Sequence, residues 1–210
     1  MFFALNQKDI ADSLVKSFHY SARPPANVQL VGTWHEAGGL FGESGDAVAA
    51  CYFSVPPTRW NEPVLELSRL VRKEDAQVSL TGLIAECCHW LKRKKMIDLV
   101  VSFADPTFGH HGGIYQAASW HYAGKRERAC DGLMINGNFV PGRTCNSLYG
   151  TRSAAKLREQ RPAWKIEPHY DEGKHLYWKP LTNKGKKQAQ RMKLDSLPYP
   201  KPKQAIACSA

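Results

Sequence analysis

The sequence lacks any run near the roughly 20 consecutive apolar residues that a membrane-crossing helix needs. Its six cysteines include no CxxC pair. Cys87 and Cys88 are adjacent, and Cys51, Cys130, Cys145 and Cys208 are scattered, a pattern that fits neither a structural zinc nor a disulfide framework. Reduced thiols are expected, with Cys87 and Cys88 packed on a helix. There is no GxGxxG fingerprint, no P-loop, no serine-hydrolase elbow, no kinase set and no HxE…PCxxC deaminase signature. The start, MFFALNQKDIADSL, has no basic n-region and no small-residue cleavage site, and predicts a chain that is not exported. Acidic residues are scarce in one region. Residues 151–210 hold 14 Lys and Arg against 5 Asp and Glu, whereas residues 1–150 hold 15 against 14.

What is present begins with that asymmetry. A near-neutral body and a basic tail suggest a catalytic domain over 1–150 and a basic extension over 151–210 that docks on a polyanion. The 210 residues are 43% apolar, enough for a real core. Asn6 is a candidate cap for a first helix whose Ile10, Leu14, Val15 and Phe18 share a face. VQLVGTW (28–34), DAVAACYFSV (46–55) and PVLELSRLV (63–71) read as three strands around a turn-rich AGGLFGESG. In the third, Arg69 is expected on the face of Leu65 and Leu67, where an unpaired charge is costly and a phosphate or carboxylate would be gripped in two places. Ser79 then caps a helix carrying Leu83, Ile84, Cys87 and Leu91, closed by KRKK. IDLVVSFA (97–104) is a continuous apolar strand. Asn136-Gly137 signals a hairpin, a polar helix is expected at about 147–160, HLYWKPL (175–181) is a last strand, and KGKKQAQRMK is a short basic helix or coil. The order predicts a mixed α/β domain whose sheet is mostly antiparallel, with one parallel crossover, flanked by helices. GNAT-type acyltransferases share that order.

The chemistry concentrates in FADPTFGHHGGIYQAASW (103–120). Asp105 stands at the carboxyl end of the buried strand, where ligand sites of α/β sheets form. Adjacent His110 and His111 diverge too much to share one metal. Tyr115 follows the glycines closely enough to face a site and serve as general acid, whereas Trp120, on the same expected helix, is read as packing. His19-Tyr20 closes the first helix before a proline turn.

Together, the HY pair, LELSRL, ADPTFGHHGGIYQAASWHYAG and KHLYWKPL resemble the phage Mu Mom family over about residues 15–200, and the segment 104–124 is the most specific part. The resemblance implies a GNAT-like fold and an iron-dependent enzyme. It would place a carbamoylmethyl group on adenine N6 in phage DNA, shielding the DNA from restriction in the cytoplasm of the infected bacterium. Carried over, His19, Tyr20, Arg69, Asp105 and Tyr115 form the catalytic set, and His19, Tyr20, Asp105 and His110 are the candidate iron ligands. Arg69, Gln77 and Ser79 are the candidates for holding a donor. The segment RKEDAQVSLTG departs from the GNAT Q/RxxGxG/A loop, lacking its glycines and carrying Glu74 and Asp75. That disfavours acyl-CoA and favours a glycyl donor such as glycyl-tRNA, because a glycyl and a carbamoylmethyl group on N6 are isomers. DNA contact is expected from Lys174, Lys179, Lys184, Lys186, Lys187 and Arg191, with Tyr177 and Trp178 stacking on bases. The rival readings are a silent DNA-binding module and a conventional acetyl-CoA-dependent N-acetyltransferase.

Overall fold

A computed structural model describes residues 2–36, 45–57 and 60–201. Most of the expected AGGLFGESG loop lies outside these residues, as does Cys208. The chain divides into two units: 1–104, 111–124 and 176–210 form the first, and 105–110 with 125–175 form the second.

The first unit is a seven-stranded sheet. Its strands run β1 (Phe2–Leu5), β2 (Val28–His35), β3 (Ala47–Ser54), β4 (Leu65–Arg72), β5 (Leu99–Ala104), β10 (His175–Pro180) and β6 (His121–Lys125) in spatial order. β1 to β4 pair antiparallel, and β4 pairs parallel with β5 through the crossover helix α2 (Leu80–Arg93). The mixed, mostly antiparallel architecture flanked by helices is therefore as the sequence predicts. Helix α1 (Lys8–Phe18) covers one face through Ala11, Leu14 and Val15 against Val31, Ala50, Tyr52 and Val71. On the other face α2 presents Leu83, Ile84, Cys87 and Leu91 to Leu30, Phe53, Leu67 and Val100. The helix α6 (Asn183–Arg191) covers Leu99 and Val101 through Ala189.

Several expectations are corrected. Asn6 does not cap α1. It sits at φ 62°, and Gln7 holds the cap position without a side-chain bond. HLYWKPL is inserted into the sheet between β5 and β6, and its Leu176, Tyr177 and Trp178 are buried. The helix after the glycines, α3 (Gly113–Ala117), is only five residues long. Ser119 at φ 57° follows it, and the chain enters β6 at His121.

The second unit contains a three-stranded sheet in the order β8 (Asn138–Pro141), β7 (Cys130–Ile135), β9 (Ile166–Tyr170). The Asn136-Gly137 turn is the expected hairpin, with both residues at positive φ. Two helices stand where one was expected. α4 (Gly142–Tyr149) stops at Gly150, φ 70°, and α5 (Ala154–Gln160) restarts at the Ser153 cap. Its core is Leu133, Ile135, Cys145, Leu157 and Ile166.

Candidate functional site

The site begins with a defect in the sheet. β4 and β5 pair only at Leu65–Val100 and Glu66–Val101. Beyond that point the two strands splay. On the other side of β4, the register with β3 shifts between Tyr52–Arg69 and Phe53–Leu67, so Ser68 is a bulge. The extra residue reverses the alternation. Leu70 continues the face of Leu65 and Leu67, while Arg69 joins Val71 on the α1 face. Arg69 is thus not beside Leu65 and Leu67 as a regular strand would place it. Its Nε donates to the Arg23 carbonyl at 3.1 Å and its guanidinium to the Ser68 carbonyl at 2.5 Å. These bonds tie the segment after α1 to the bulge.

On the opposite face, Ser102 of β5 is buried, with its Oγ 2.7 Å from the Leu67 carbonyl and 2.8 Å from the Tyr115 hydroxyl. The carbonyl can only accept, so the single serine proton goes to it and the tyrosine O–H donates to Oγ. A side-chain relay therefore stands where the β4–β5 ladder stops. Tyr115 packs against Trp120 and Tyr177, with ring centroids 5.4 and 5.1 Å away. Burial pushes its phenol well above the ordinary tyrosine value, and the proximity of Cys51, Tyr20 and Glu66 raises it further. The phenol is neutral at physiological pH and retains a proton to give.

Tyr20 and Glu66 sense Tyr115 from the α1 side. His19 and Tyr20 stack, with ring centroids 4.4 Å apart. The first unit thus places Tyr115 on the α2 side, and Arg69, Tyr20 and His19 on the α1 side, of the opening in the sheet where β4 and β5 stop pairing. Sequence reasoning missed Ser102 and Glu66. Both sit inside apolar-looking strands, and only the splay of β4 from β5 makes them functional candidates.

A cavity of about 350 Å³ lies on the α2 face, lined by Ser79, Thr81, Gly82, Ala117, Ser119 and Lys179 among others. Ser79 Oγ accepts from the Gly82 N–H at 3.0 Å, as a helix cap does. The N–H groups of Leu80 and Thr81 have no partner within the helix. The Lys179 ammonium donates to the Ala118 carbonyl at 2.7 Å, which makes it a wall of this cavity. Gln77 is exposed just before the cap.

In the second unit, Asp105 is buried and fully engaged. One carboxylate oxygen accepts from the Thr107 N–H at 3.0 Å, and the other meets the Lys174 ammonium at 3.3 Å. Lys174 also reaches Asp171 at 4.0 Å. Lys174 is therefore paired in an acidic cluster. The His110 N–H donates to the Asp105 carbonyl, closing the turn.

The expected iron ligands do not fit a metal as arranged. The Ser21 N–H donates to His19 Nδ1 at 3.1 Å, which occupies the ring's one lone pair in its neutral form. Asp105 already holds an ammonium and an amide. Among the described residues no three His, Cys, Asp or Glu side chains form a metal-holding group. The expected stacking residues are also corrected, because Tyr177 is fully buried and Trp178 is 7% exposed. Tyr177 instead donates to the His111 carbonyl at 2.6 Å, and its ring fills the place of a Cβ at Gly112, which stands at φ 86°. Lys184, Lys186 and Lys187 are exposed on α6, and Arg191 donates to both carboxylate oxygens of Glu62 through Nε and Nη2, at 2.6 and 3.0 Å.

The Mom protein family matches the chain over residues 1–201. The chain belongs to the Mom protein family. No curated protein matches it. Three similar solved structures illustrate its other likenesses. The ribosomal-protein-S18-alanine N-acetyltransferase from Escherichia coli is 10% identical, with 86% of this chain and 95% of that one covered and a TM-score of 0.47. An aminoglycoside 6'-acetyltransferase type Ii is 10% identical, with 87% and 98% covered and a TM-score of 0.49. An N-acetyltransferase from Staphylococcus aureus Mu50 is 9% identical, with 87% and 100% covered and a TM-score of 0.44. Among the described residues of this Mom-family chain, no helix is long and apolar enough to cross a membrane.

Proposed function

We propose that this protein transfers an acyl-type group to the exocyclic N6 of adenine in DNA, on the way to N6-carbamoylmethyladenine, and so protects phage DNA from restriction in the infected bacterium. The observation that carries the reading is the Tyr115 phenol, buried and neutral, bonded to Ser102 at the point where β4 leaves β5. Adenine N6 is a weak nucleophile because its lone pair is delocalised into the ring. It requires an activated donor and a leaving group that receives a proton. In this reading N6 attacks the donor carbonyl, the bond from that carbonyl to its leaving atom breaks, Tyr115 protonates the leaving atom, and the proton that N6 sheds restores the phenol. Membership of the Mom family supports DNA as the acceptor. A paired adenine must leave the stack to reach N6, and the α1 side of the opening, with Tyr20 and Arg69, is the side proposed to receive it.

The donor is proposed to enter from the α2 side. Lys179 and the first-turn amides of α2 favour an anionic carrier, either the 3′ end of an aminoacyl-tRNA or a CoA thioester. A glycyl group on N6 is an isomer of the carbamoylmethyl product, so glycyl-tRNA supplies the right atoms without a further reactant. No step is assigned to iron, because His19 and Asp105 are engaged as described above.

The test is a reconstituted reaction. Purified protein, an adenine-containing single-stranded oligodeoxynucleotide and a cell extract are combined, and the oligonucleotide mass is read. A gain of one glycyl unit, abolished by RNase treatment of the extract, supports the tRNA donor. A gain that survives RNase and is lost on desalting assigns the donor to a small thioester. An unmodified oligonucleotide in an extract that charges tRNA with glycine would remove the proposed reaction.

A further inference from the structure

Two runs of cations in the first unit flank the end of the sheet where β5 begins, one on α2 and one on α6, on opposite faces. α2 ends in Lys92, Arg93 and Lys94, all exposed. α6 begins with Lys184, Lys186 and Lys187, also exposed. Asp98 joins the two segments at the start of β5. Its carbonyl accepts from the Leu181 N–H at 2.8 Å, and its carboxylate accepts from the Thr182 hydroxyl. Gly185 packs so tightly here that an added Cβ would sit 1.9 Å from the Asp98 carbonyl oxygen, which holds the first turn of α6 against the end of α2's following segment.

On the α6 side of this junction the charge pattern works against the free protein. α6 has no acidic residue in its first turn, and three lysines crowd its N-terminal half. Cations there oppose the helix dipole. Among the described residues, none of the six side chains has a carboxylate within ion-pair distance. The nearby acids are already used, Asp98 by Thr182 and Glu62 by Arg191. An external polyanion would supply the missing countercharge. The first unit carries 19 Lys and Arg against 12 Asp and Glu, and these six make up most of its excess.

The place of the surface matters as much as its charge. α2 has 14 residues and so spans about 21 Å from the Ser79 cavity to this junction. That is the rise of about six base pairs at 3.4 Å each. A surface so far from Tyr115 cannot hold the reacting base. It can hold the phosphates that flank it.

We propose that Lys92, Arg93, Lys94, Lys184, Lys186 and Lys187 form a docking surface for the backbone of duplex DNA, separate from the adenine-receiving opening. The choice of DNA rests on the proposed function, and the surface itself rests on the charge and geometry above. It sets affinity and salt dependence and contributes nothing to the chemical step.

The test is binding of a labelled duplex across a salt series, without turnover. The variant with all six changed to Gln is expected to lose more than tenfold in affinity at about 0.1 M salt. Its plot of log affinity against log salt should flatten by about three or more, roughly one for each phosphate that no longer meets a cation. Replacing the same six with Lys or Arg in exchanged positions, which keeps the charge, should restore both. Modification of a short single strand at saturating concentration should proceed at the wild-type rate. Duplex affinity within twofold of wild type overturns the proposal. So does an equal loss in a control carrying Arg143→Gln, Arg152→Gln and Lys156→Gln, and so does a loss confined to tRNA. A protein that binds duplex in this way and leaves DNA unmodified would overturn the reaction proposed above and leave this surface standing.

Discussion

At the scale of single residues, the account turns on Tyr115. Tyr115→Phe keeps the ring that packs between Trp120 and Tyr177 and removes only the hydroxyl with its proton. Activity is expected to fall by about 10²–10⁴-fold, with an unchanged circular dichroism spectrum. Loss of activity with loss of fold would instead make Tyr115 structural. Ser102→Ala leaves the Leu67 carbonyl and the phenol without their shared partner and should cost about 1–3 kcal/mol in a denaturant titration. The phenol also sets a pH dependence. Burial raises Tyr115, Tyr52, Tyr122 and Tyr177 above their ordinary value. Below pH of about 10 all four are neutral in both the folded and the unfolded chain. Above it the unfolded chain ionises first, so stability is lost as pH rises toward the folded values. A melting temperature that fell from pH 9 to 11, less steeply in Tyr115→Phe, is expected. Tyr115 was legible in the sequence because it follows the glycines at the end of an unmistakable buried strand. Ser102 was not, since a small polar residue in LVVSFA carries no signal until its neighbouring strand is known to diverge.

At the scale of elements, the bulge at Ser68 is the feature that assembles the opening. A strand read at period two puts Arg69 beside Leu67, and one inserted residue turns it to the α1 face, where it binds the Arg23 carbonyl. Alternation alone cannot reveal a bulge, because the deciding partners are Phe53 and Tyr52 on another strand. Deleting Ser68 removes the bulge together with the carbonyl that Arg69 binds, leaves Arg69 on the α1 face, and should loosen the segment carrying His19 and Tyr20. Limited proteolysis within residues 19–25 should speed up, with an unchanged rate contradicting the link. The short strands β1, β6 and β9 escaped sequence reading for a related reason, since four or five residues give too few alternations to register. α2 was read correctly because its apolar stripe runs its whole length and Ser79 marks its start. Ser79→Ala should cost about 1 kcal/mol, measured by urea unfolding, and should weaken donor affinity by disturbing the first turn that borders the cavity.

At the scale of the whole molecule, the charge excess and the likeness of motifs were both visible in the sequence, and both mattered. Their placement was not. The basic extension expected over 151–210 contributes an interior strand, the sixth of seven, and Tyr177 and Trp178 on it are core residues. Apolar residues flanked by lysines read equally well as a stacking surface or a buried strand, and burial alone separates the two. Membership of the Mom protein family and a neutral, buried tyrosine at a break in the sheet lead to one central claim, that the protein modifies adenine in DNA. The direct measurement is the mass of deoxyadenosine from DNA of cells expressing the wild-type protein or Tyr115→Phe. The account predicts a species heavier by one glycyl unit in the wild type and nearly absent in the variant. Unmodified deoxyadenosine in cells that hold the folded wild-type protein would contradict it.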